Sequence, residues 1–178
     1  MLGFPKKSVE KAIDKIVTAG GATLDRVIAR YCEKESISGL EFLSGIPGNI
    51  GGALAMNAGC FGADLNQIFF AAEGLDYFGN KINISKNDLS FNYRFNPLAS
   101  STIFTQVSLM GSEGNQLHIK KRIEKINDDR NLTQPKGIKT GGSTFKNPLG
   151  QSDKKVWQLI KESVPLEKSF GDAGISEK

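Results

Sequence analysis

The chain has 178 residues, 39% of them hydrophobic and 24% charged, with a formal net charge of +4 from 23 basic and 19 acidic side chains. That length suffices for one ordinary domain, or one domain and part of another, and the mild, dispersed charge gives no electrostatic footprint for nucleic acid. Two cysteines and one histidine cannot make a Cys/His zinc site, no G-x-S-x-G elbow is present, and no apolar run approaches the ~18 residues of a membrane span. Residues 1–11 are basic without an apolar signal region, so a cytoplasmic chain with reduced thiols is expected.

Taken in chain order, Ile16-Val17-Thr18-Ala19 is a β-prone run closed by Gly20-Gly21. Thr23 is placed to cap a helix whose Leu24, Val27, Ile28, Tyr31 and Cys32 recur at helical spacing and form one apolar face. Cys32 on that stripe reads as a small buried hydrophobe. Residues 38–62 are dense in glycine but mixed with Ala and Leu, unlike a flexible Gly/Ser linker. Such a run suits a backbone approached closely by another backbone or by a ligand.

Strands are expected over 71–77 and 81–84, joined by a turn at Gly79-Asn80, and a Ser85-capped turn of helix follows. A further strand over 103–110 ends at Gly111 and Gly114. The helix expected over about 115–130 carries Ile119, Ile123 and Ile126 on one side, and its surplus of Lys and Arg reads as a solvated face with His118 on the surface. Pro135 cannot continue that helix, 136–143 reads as a loop, and a short helix over 154–163 should turn Val156, Trp157 and Ile160 inward. Helices and strands mix without a strict βαβα rhythm. The expected class is α+β.

Three segments carry side chains or backbone suited to chemistry. Gly45-Ile46-Pro47-Gly48-Asn49-Ile50-Gly51-Gly52 reads as a turn opening a helix, where backbone N–H groups could hold an anion. It has neither the G-K-[ST] of a P-loop nor the spacing of G-x-G-x-x-G, so a purely structural turn is an equal reading. Arg94 stands among the rings of Phe91, Tyr93 and Phe95, either as a surface cation–π pair or as a clamp for carboxylate or phosphate. Thr140-Gly141-Gly142-Ser143-Thr144 could bring Ser143 to a ligand, and a serine of ordinary acidity protonates only a strongly basic centre such as a carbanion.

Together and in this order, the run from Ser38 to Gly62, Tyr93-Arg94, Arg130 with Thr133-Gln134-Pro135, and Gly142-Ser143-Thr144-Phe145-Lys146-Asn147-Pro148 resemble the UDP-N-acetylenolpyruvoylglucosamine reductases, in their shorter type. The resemblance implies the second subdomain of a PCMH-type FAD-binding domain over 18–135, after a divergent segment 1–17, and the start of an α+β substrate-binding domain over 136–178. It implies FAD as cofactor and NADPH as reductant. The implied reaction reduces UDP-N-acetyl-3-O-(1-carboxyvinyl)-glucosamine to UDP-N-acetylmuramate for peptidoglycan and the cell wall.

By the same resemblance, Ile46, Pro47, Gly48, Asn49, Gly52, Ala55, Ala58 and Gly59 line FAD, with Arg130 near the flavin. Arg94 polarises the substrate carboxylate, Ser143 protonates the intermediate, and Asn147 contacts the UDP-sugar. The expected partner is the sugar nucleotide alone, with no nucleic acid or membrane, and the expected state a monomer. The chain is expected to be truncated at both ends, and Glu177 is not the family's catalytic glutamate. An inactive remnant that keeps the central FAD-domain fold is the alternative.

Overall fold

The computed structural model describes residues 9–12, 15–134, 145–165 and 169–175. These fall into two compact units, 1–129 and 130–178. In the first, β1 (Val9–Ala12) and β2 (Ile16–Gly20) lead into α1 (Asp25–Lys34), β3 (Ile37–Ser38) and a 3₁₀ turn (Glu41–Gly45). Next come α2 (Ile50–Ala55), the small hairpin β4 (Gly59–Cys60) and β5 (Ala63–Asp64), and the single turn α3 (Leu65–Ile68). The hairpin β6 (Phe69–Asp76) and β7 (Lys81–Ser85), the long strand β8 (Thr102–Met110), β9 (Ser112–Glu113) and α4 (Gln116–Thr133), which belongs to this unit as far as residue 129, follow. The second unit contains α5 (Val156–Ser163) and the short hairpin β10 (Ser169–Phe170) and β11 (Ala173–Gly174).

One five-stranded sheet in the order β1-β2-β8-β6-β7, antiparallel throughout, organises the first unit. Its inner face presents Val17, Ala19, Phe69, Ala72, Ile84, Phe104, Val107 and Leu109 to a core completed by Ile28 and Cys32 of α1, Leu40 and Leu43 around the 3₁₀ turn, and Ile50 and Leu54 of α2. Its outer face carries small polar groups, among them Thr18 and Ser108, whose hydroxyls meet at 2.9 Å across β2 and β8. Antiparallel strands with one wet face and helices gathered on the other are an α+β arrangement, as the sequence indicates. Ile119 and Ile123 of α4 are buried, and His118 is exposed.

The solvated reading of α4 needs one amendment. Arg122 donates to Oε1 of Glu41 at 3.2 Å, and the buried Glu41 also accepts from Ser38 Oγ at 3.0 Å and the Gly39 N–H at 2.8 Å. A buried carboxylate with three donors is satisfied where an unpaired one would be costly. At the far end, Ser85 and Asp88 form the expected cap, and this holds the exposed Asp88 carboxyl below its usual range.

Thr23 does not cap α1. The segment 23–25 pairs instead with 48–50: Leu24 bridges Asn49, the Ile50 N–H donates to the Thr23 carbonyl at 2.9 Å, and the Asp25 N–H to the Gly48 carbonyl at 3.0 Å. This pairing turns the side chains of Thr23 and Asp25 inward, where the hydroxyl and both carboxyl oxygens are buried without a hydrogen-bond partner. It also rotates the helix, so its buried side is Asp25, Ile28, Ala29 and Cys32, while Val27, expected inside, is 43% exposed. Trp157, likewise expected inward, is 60% exposed on α5. That helix buries none of its residues, so helical spacing alone could not fix which side faces in. Burial pushes the Cys32 thiol up to about 12, which leaves it inert.

Burial likewise raises Asp25 from 3.8 to about 7. A carboxyl protonated in the folded state and ionised in the unfolded one contributes most below pH 3.8, and stability falls as pH rises toward 7. The full effect is about 4 kcal/mol at ~1.4 kcal/mol per pKa unit. Urea unfolding between pH 5 and pH 8 should therefore show the wild type losing stability while Asp25→Asn stays level; parallel curves for the two proteins would refute the assignment.

Candidate functional site

The glycines in and near the central run include two kinds that differ in the room left for a side chain. A Cβ on Gly21 would lie 2.2 Å from the Phe104 carbonyl oxygen, and one on Gly51 would lie 3.0 Å from both the Gly21 and Phe104 carbonyls. These residues let α2 and the β2 end press backbone to backbone onto β8. Gly59 is equally enclosed by the β4–β5 turn, at 2.4 Å from the Ala63 carbonyl, and Gly45 by Ile126, Cys60 and Phe61. Gly52 is of the other kind: it is exposed, and a Cβ there meets nothing within 4 Å. Gly48 is nearly as open, with only an ordinary contact to Asp25 Oδ2 at 3.4 Å.

The residues anticipated to line a cofactor form a partly accessible strip of chain between 46 and 59, closed at the Cβ position of Gly59. Pro47, Asn49 and Gly52 are exposed, and Ile46, Gly48, Ala55, Ala58 and Gly59 are half-buried, along the turn before α2, its outer side and the chain just after it. Asn49 occupies the N-cap position without a side-chain cap bond. The anticipated anion cradle is smaller than its glycine count suggests. The N–H groups of Ile50 and Gly51 are already spent on the Thr23 and Gly21 carbonyls, at 2.9 and 3.0 Å.

Arg94 stands at the end of this strip. Asn92 and Phe95 exchange both backbone hydrogen bonds at 3.1 Å, leaving Tyr93 and Arg94 at the tip of a tight hairpin. Arg94 adopts φ 54°, a left-handed conformation that costs a non-glycine residue on the order of 1–3 kcal/mol. Its guanidinium recovers that cost by donating from Nη2 to the Gly59 carbonyl at 2.6 Å and from Nη1 to the Asn57 carbonyl at 3.3 Å. It also lies 5.1 Å from the centre of the Tyr93 ring. The Tyr93 contact is the cation–π pair of the first reading, and the two carbonyl acceptors orient the guanidinium while leaving its charge in place. No described carboxylate forms an ion pair with it. Five N–H donors with two engaged leave the guanidinium able to receive a carboxylate or phosphate.

The remaining anticipated residues belong to the second unit or to undescribed segments. Arg130 is half-buried in the last turn of α4, and its carbonyl accepts from the Gln134 N–H at 2.9 Å. Asn147 Oδ1 accepts from the Val156 N–H at 3.0 Å, so in this structure it caps the start of α5. Ser143, the 136–143 loop and Glu177 lie outside the described residues. Sequence reasoning passed over Asn57, buried at 2% exposure beneath Arg94; an asparagine directly after a short helix, at a left-handed position, was the available signal.

The two kinds of glycine respond oppositely to a methyl group. Gly21→Ala should destabilise the chain by about 2–3 kcal/mol, because a backbone carbonyl cannot yield to it. Gly52→Ala, in an open helical position, should stabilise it by roughly 0.5–1 kcal/mol. Thermal unfolding of both variants checks the contrast, and a similar loss in each would refute it.

No family model matches the chain. It is 42% identical over 163 residues to the UDP-N-acetylenolpyruvoylglucosamine reductase of Pelagibacter ubique, covering 92% of this chain and 54% of that protein. It is 41% identical over 177 residues to the reductase of the same name from Phenylobacterium zucineum, covering 98% of this chain and 58% of the relative. Among solved structures it is similar to UDP-N-acetylenolpyruvylglucosamine reductase (MurB) from Thermus caldophilus, with a TM-score of 0.71 and 34% identity across 82% of this chain and 52% of that one. The chain thus spans about half the length of the relatives it matches. Over that shared half, the chain is similar in sequence and in fold to the UDP-N-acetylenolpyruvoylglucosamine reductases.

Proposed function

We propose that the chain supplies the flavin-facing, arginine-bearing part of a reductase that converts UDP-N-acetyl-3-O-(1-carboxyvinyl)-glucosamine to UDP-N-acetylmuramate in cytoplasmic peptidoglycan synthesis. In this reading residues 18–135 are the second subdomain of a PCMH-type FAD-binding domain, and residues 136–178 begin the substrate-binding domain. The observation that carries it is Arg94: a cation on a strained hairpin tip, fastened by two carbonyls, without a described acid to neutralise it. Strain retained at a charged, half-open position is the mark of a functional site. A remnant without activity has no use for it, which favours the reductase over that alternative.

The open backbone of the partly exposed strip supports a flavin nucleotide as its occupant. Ile46, Pro47, Gly48, Asn49, Gly52, Ala55, Ala58 and Gly59 would hold it, and the open space over Gly52 is where a side chain would obstruct it. Bound FAD supplies hydride chemistry, with NADPH as reductant, that no amino-acid side chain supplies. The chain's own part is electrostatic and positional. Arg94 holds a positive charge where the enolpyruvyl carboxylate gains electron density, and because its carbonyl anchors are in place beforehand, no reorganisation is needed during reaction. Ser143 donates the proton to the carbanion-like carbon, Asn147 contacts the UDP-sugar, and Arg130 stands near the flavin.

Titrating the purified chain with FAD and following flavin fluorescence should show weak, saturable binding. Gly52→Leu should abolish it while circular dichroism stays unchanged; absence of saturable binding to the wild type would overturn the cofactor reading. In NADPH-dependent turnover of the enolpyruvyl sugar nucleotide, Arg94→Ala should lower kcat by about 10²–10³-fold. Ser143→Ala should lower it by about 10²–10⁴-fold with FAD affinity retained. Turnover unaffected by either change would remove that residue from the mechanism.

A further inference from the structure

We infer that Asn57 is the positioning residue of Arg94, setting both the base of its hairpin and the place of its guanidinium. The inference rests on the reading of Arg94 given above, and its evidence is geometric. Asn57 follows the last turn of α2 at φ 41° and closes that helix: its N–H donates to the Leu54 carbonyl at 3.1 Å, and the Ala58 N–H to the Ala53 carbonyl at 2.8 Å. This pair of bonds is the Schellman termination, and its left-handed residue is ordinarily glycine. Glycine would serve the helix. The asparagine side chain therefore answers to something else.

That side chain is 98% buried by the measure of its 2% exposure, and its amide is engaged at both ends. Nδ2 donates to the Asn92 carbonyl at 3.0 Å and more weakly toward Asp64 Oδ2 at 3.4 Å, while Oδ1 accepts from the Asn66 N–H at 3.0 Å. Asn92 is the first residue of the hairpin that carries Arg94 at its tip. The main-chain carbonyl of Asn57 then receives Arg94 Nη1 at 3.3 Å. One residue thus holds the arginine's backbone through its side chain and the arginine's charge through its carbonyl, across 37 positions of sequence. A second tie, from Asn96 Nδ2 to the Leu54 carbonyl at 3.0 Å, keeps the hairpin on α2 without contributing to the guanidinium.

Two substitutions separate this role from simple helix capping. Asn57→Gly keeps the left-handed backbone, the helix termination and the carbonyl acceptor, and removes only the amide. Asn57→Asp keeps the shape but has no N–H for Asn92 and sets a second carboxylate against Asp64. The first readout needs no cofactor: nitrogen-15 NMR of the Arg94 guanidinium in the full chain, where rotation about the Cζ–Nη bonds is slow when both Nη groups are anchored. Both variants should speed that rotation at least tenfold. Asn57→Gly should do so with a thermal midpoint within a few degrees of wild type. The second readout is turnover of the enolpyruvyl sugar nucleotide with FAD and NADPH, in which Asn57→Gly should lower kcat by about 10–100-fold and change KM little, as a misplaced but present cation would. Wild-type guanidinium dynamics in either variant overturns the positioning role, whatever the turnover. Faster guanidinium rotation with undiminished turnover would instead overturn the role of Arg94 in the reaction and leave its positioning by Asn57 standing.

Discussion

The close approach of two glycine-bearing backbones, at Gly21 and Gly51, is the constraint on which the candidate site depends. The Gly51 N–H donates to the Gly21 carbonyl at 3.0 Å; a β-carbon on Gly21 would clash with the Phe104 carbonyl at 2.2 Å, and one on Gly51 would press on it at 3.0 Å. With the first turn of α2 seated on the sheet in this way, the preceding turn 46–49 is carried to the surface and the helix end at Asn57 is aimed at the hairpin 92–95. A side chain at either glycine would lift α2 away from β8. The accessible strip and the arginine anchor would then part together, because both are fixed to the same short helix.

Polar groups inside this framework follow two opposite patterns. Glu41 is buried and fully answered, by Ser38, Gly39 and Arg122, and so ties the 3₁₀ turn to α4 at little cost in uncompensated charge. Thr23 and Asp25 are buried and unanswered, on the face of the bridge that holds the turn 46–49. A structure normally tolerates such groups only where something else over-determines their position. Here the pairing of 23–25 with 48–50 does so: the backbone hydrogen bonds of the turn are secured, and the side chains must go where the pairing sends them. The favourable protonation state of Asp25 is a consequence of that geometry.

Arg94 and Asn57 show how strain is carried at the site. Both are non-glycine residues in left-handed conformations, and each is held there by bonds from the other's segment. Cation and acceptors are therefore arranged before any ligand arrives. Carbonyl anchoring differs from ion pairing in one respect that matters for binding an acid: the partner orients the guanidinium without cancelling its charge. A carboxylate in place of the Asn57 and Gly59 carbonyls would compete with the ligand for the same positive field.

Much of this could be read from the residues alone. Alternation and turn chemistry marked β2, β7 and β8 and the Ser85 cap, and the isoleucine spacing marked the buried side of α4, because these depend on neighbours within a few positions. The order of the glycine run, Tyr93-Arg94 and the Ser143 loop pointed to the family, since several motifs in fixed order are far less accidental than any one of them. What the sequence could not decide were the features made by partners far apart in the chain. The rotation of α1, which exposes Val27 and buries Asp25, comes from the bridge to residues 48–50. The division of the glycines into packed and open ones depends on where β8 runs, and the anchoring of Arg94 on Asn57 and Gly59 joins segments about 35 residues apart. Periodicity and motif report what each segment prefers; only the contacts between segments determine which backbone atoms meet, and those meetings made a glycine structural, pushed an acid's pKa up and gave an arginine its place.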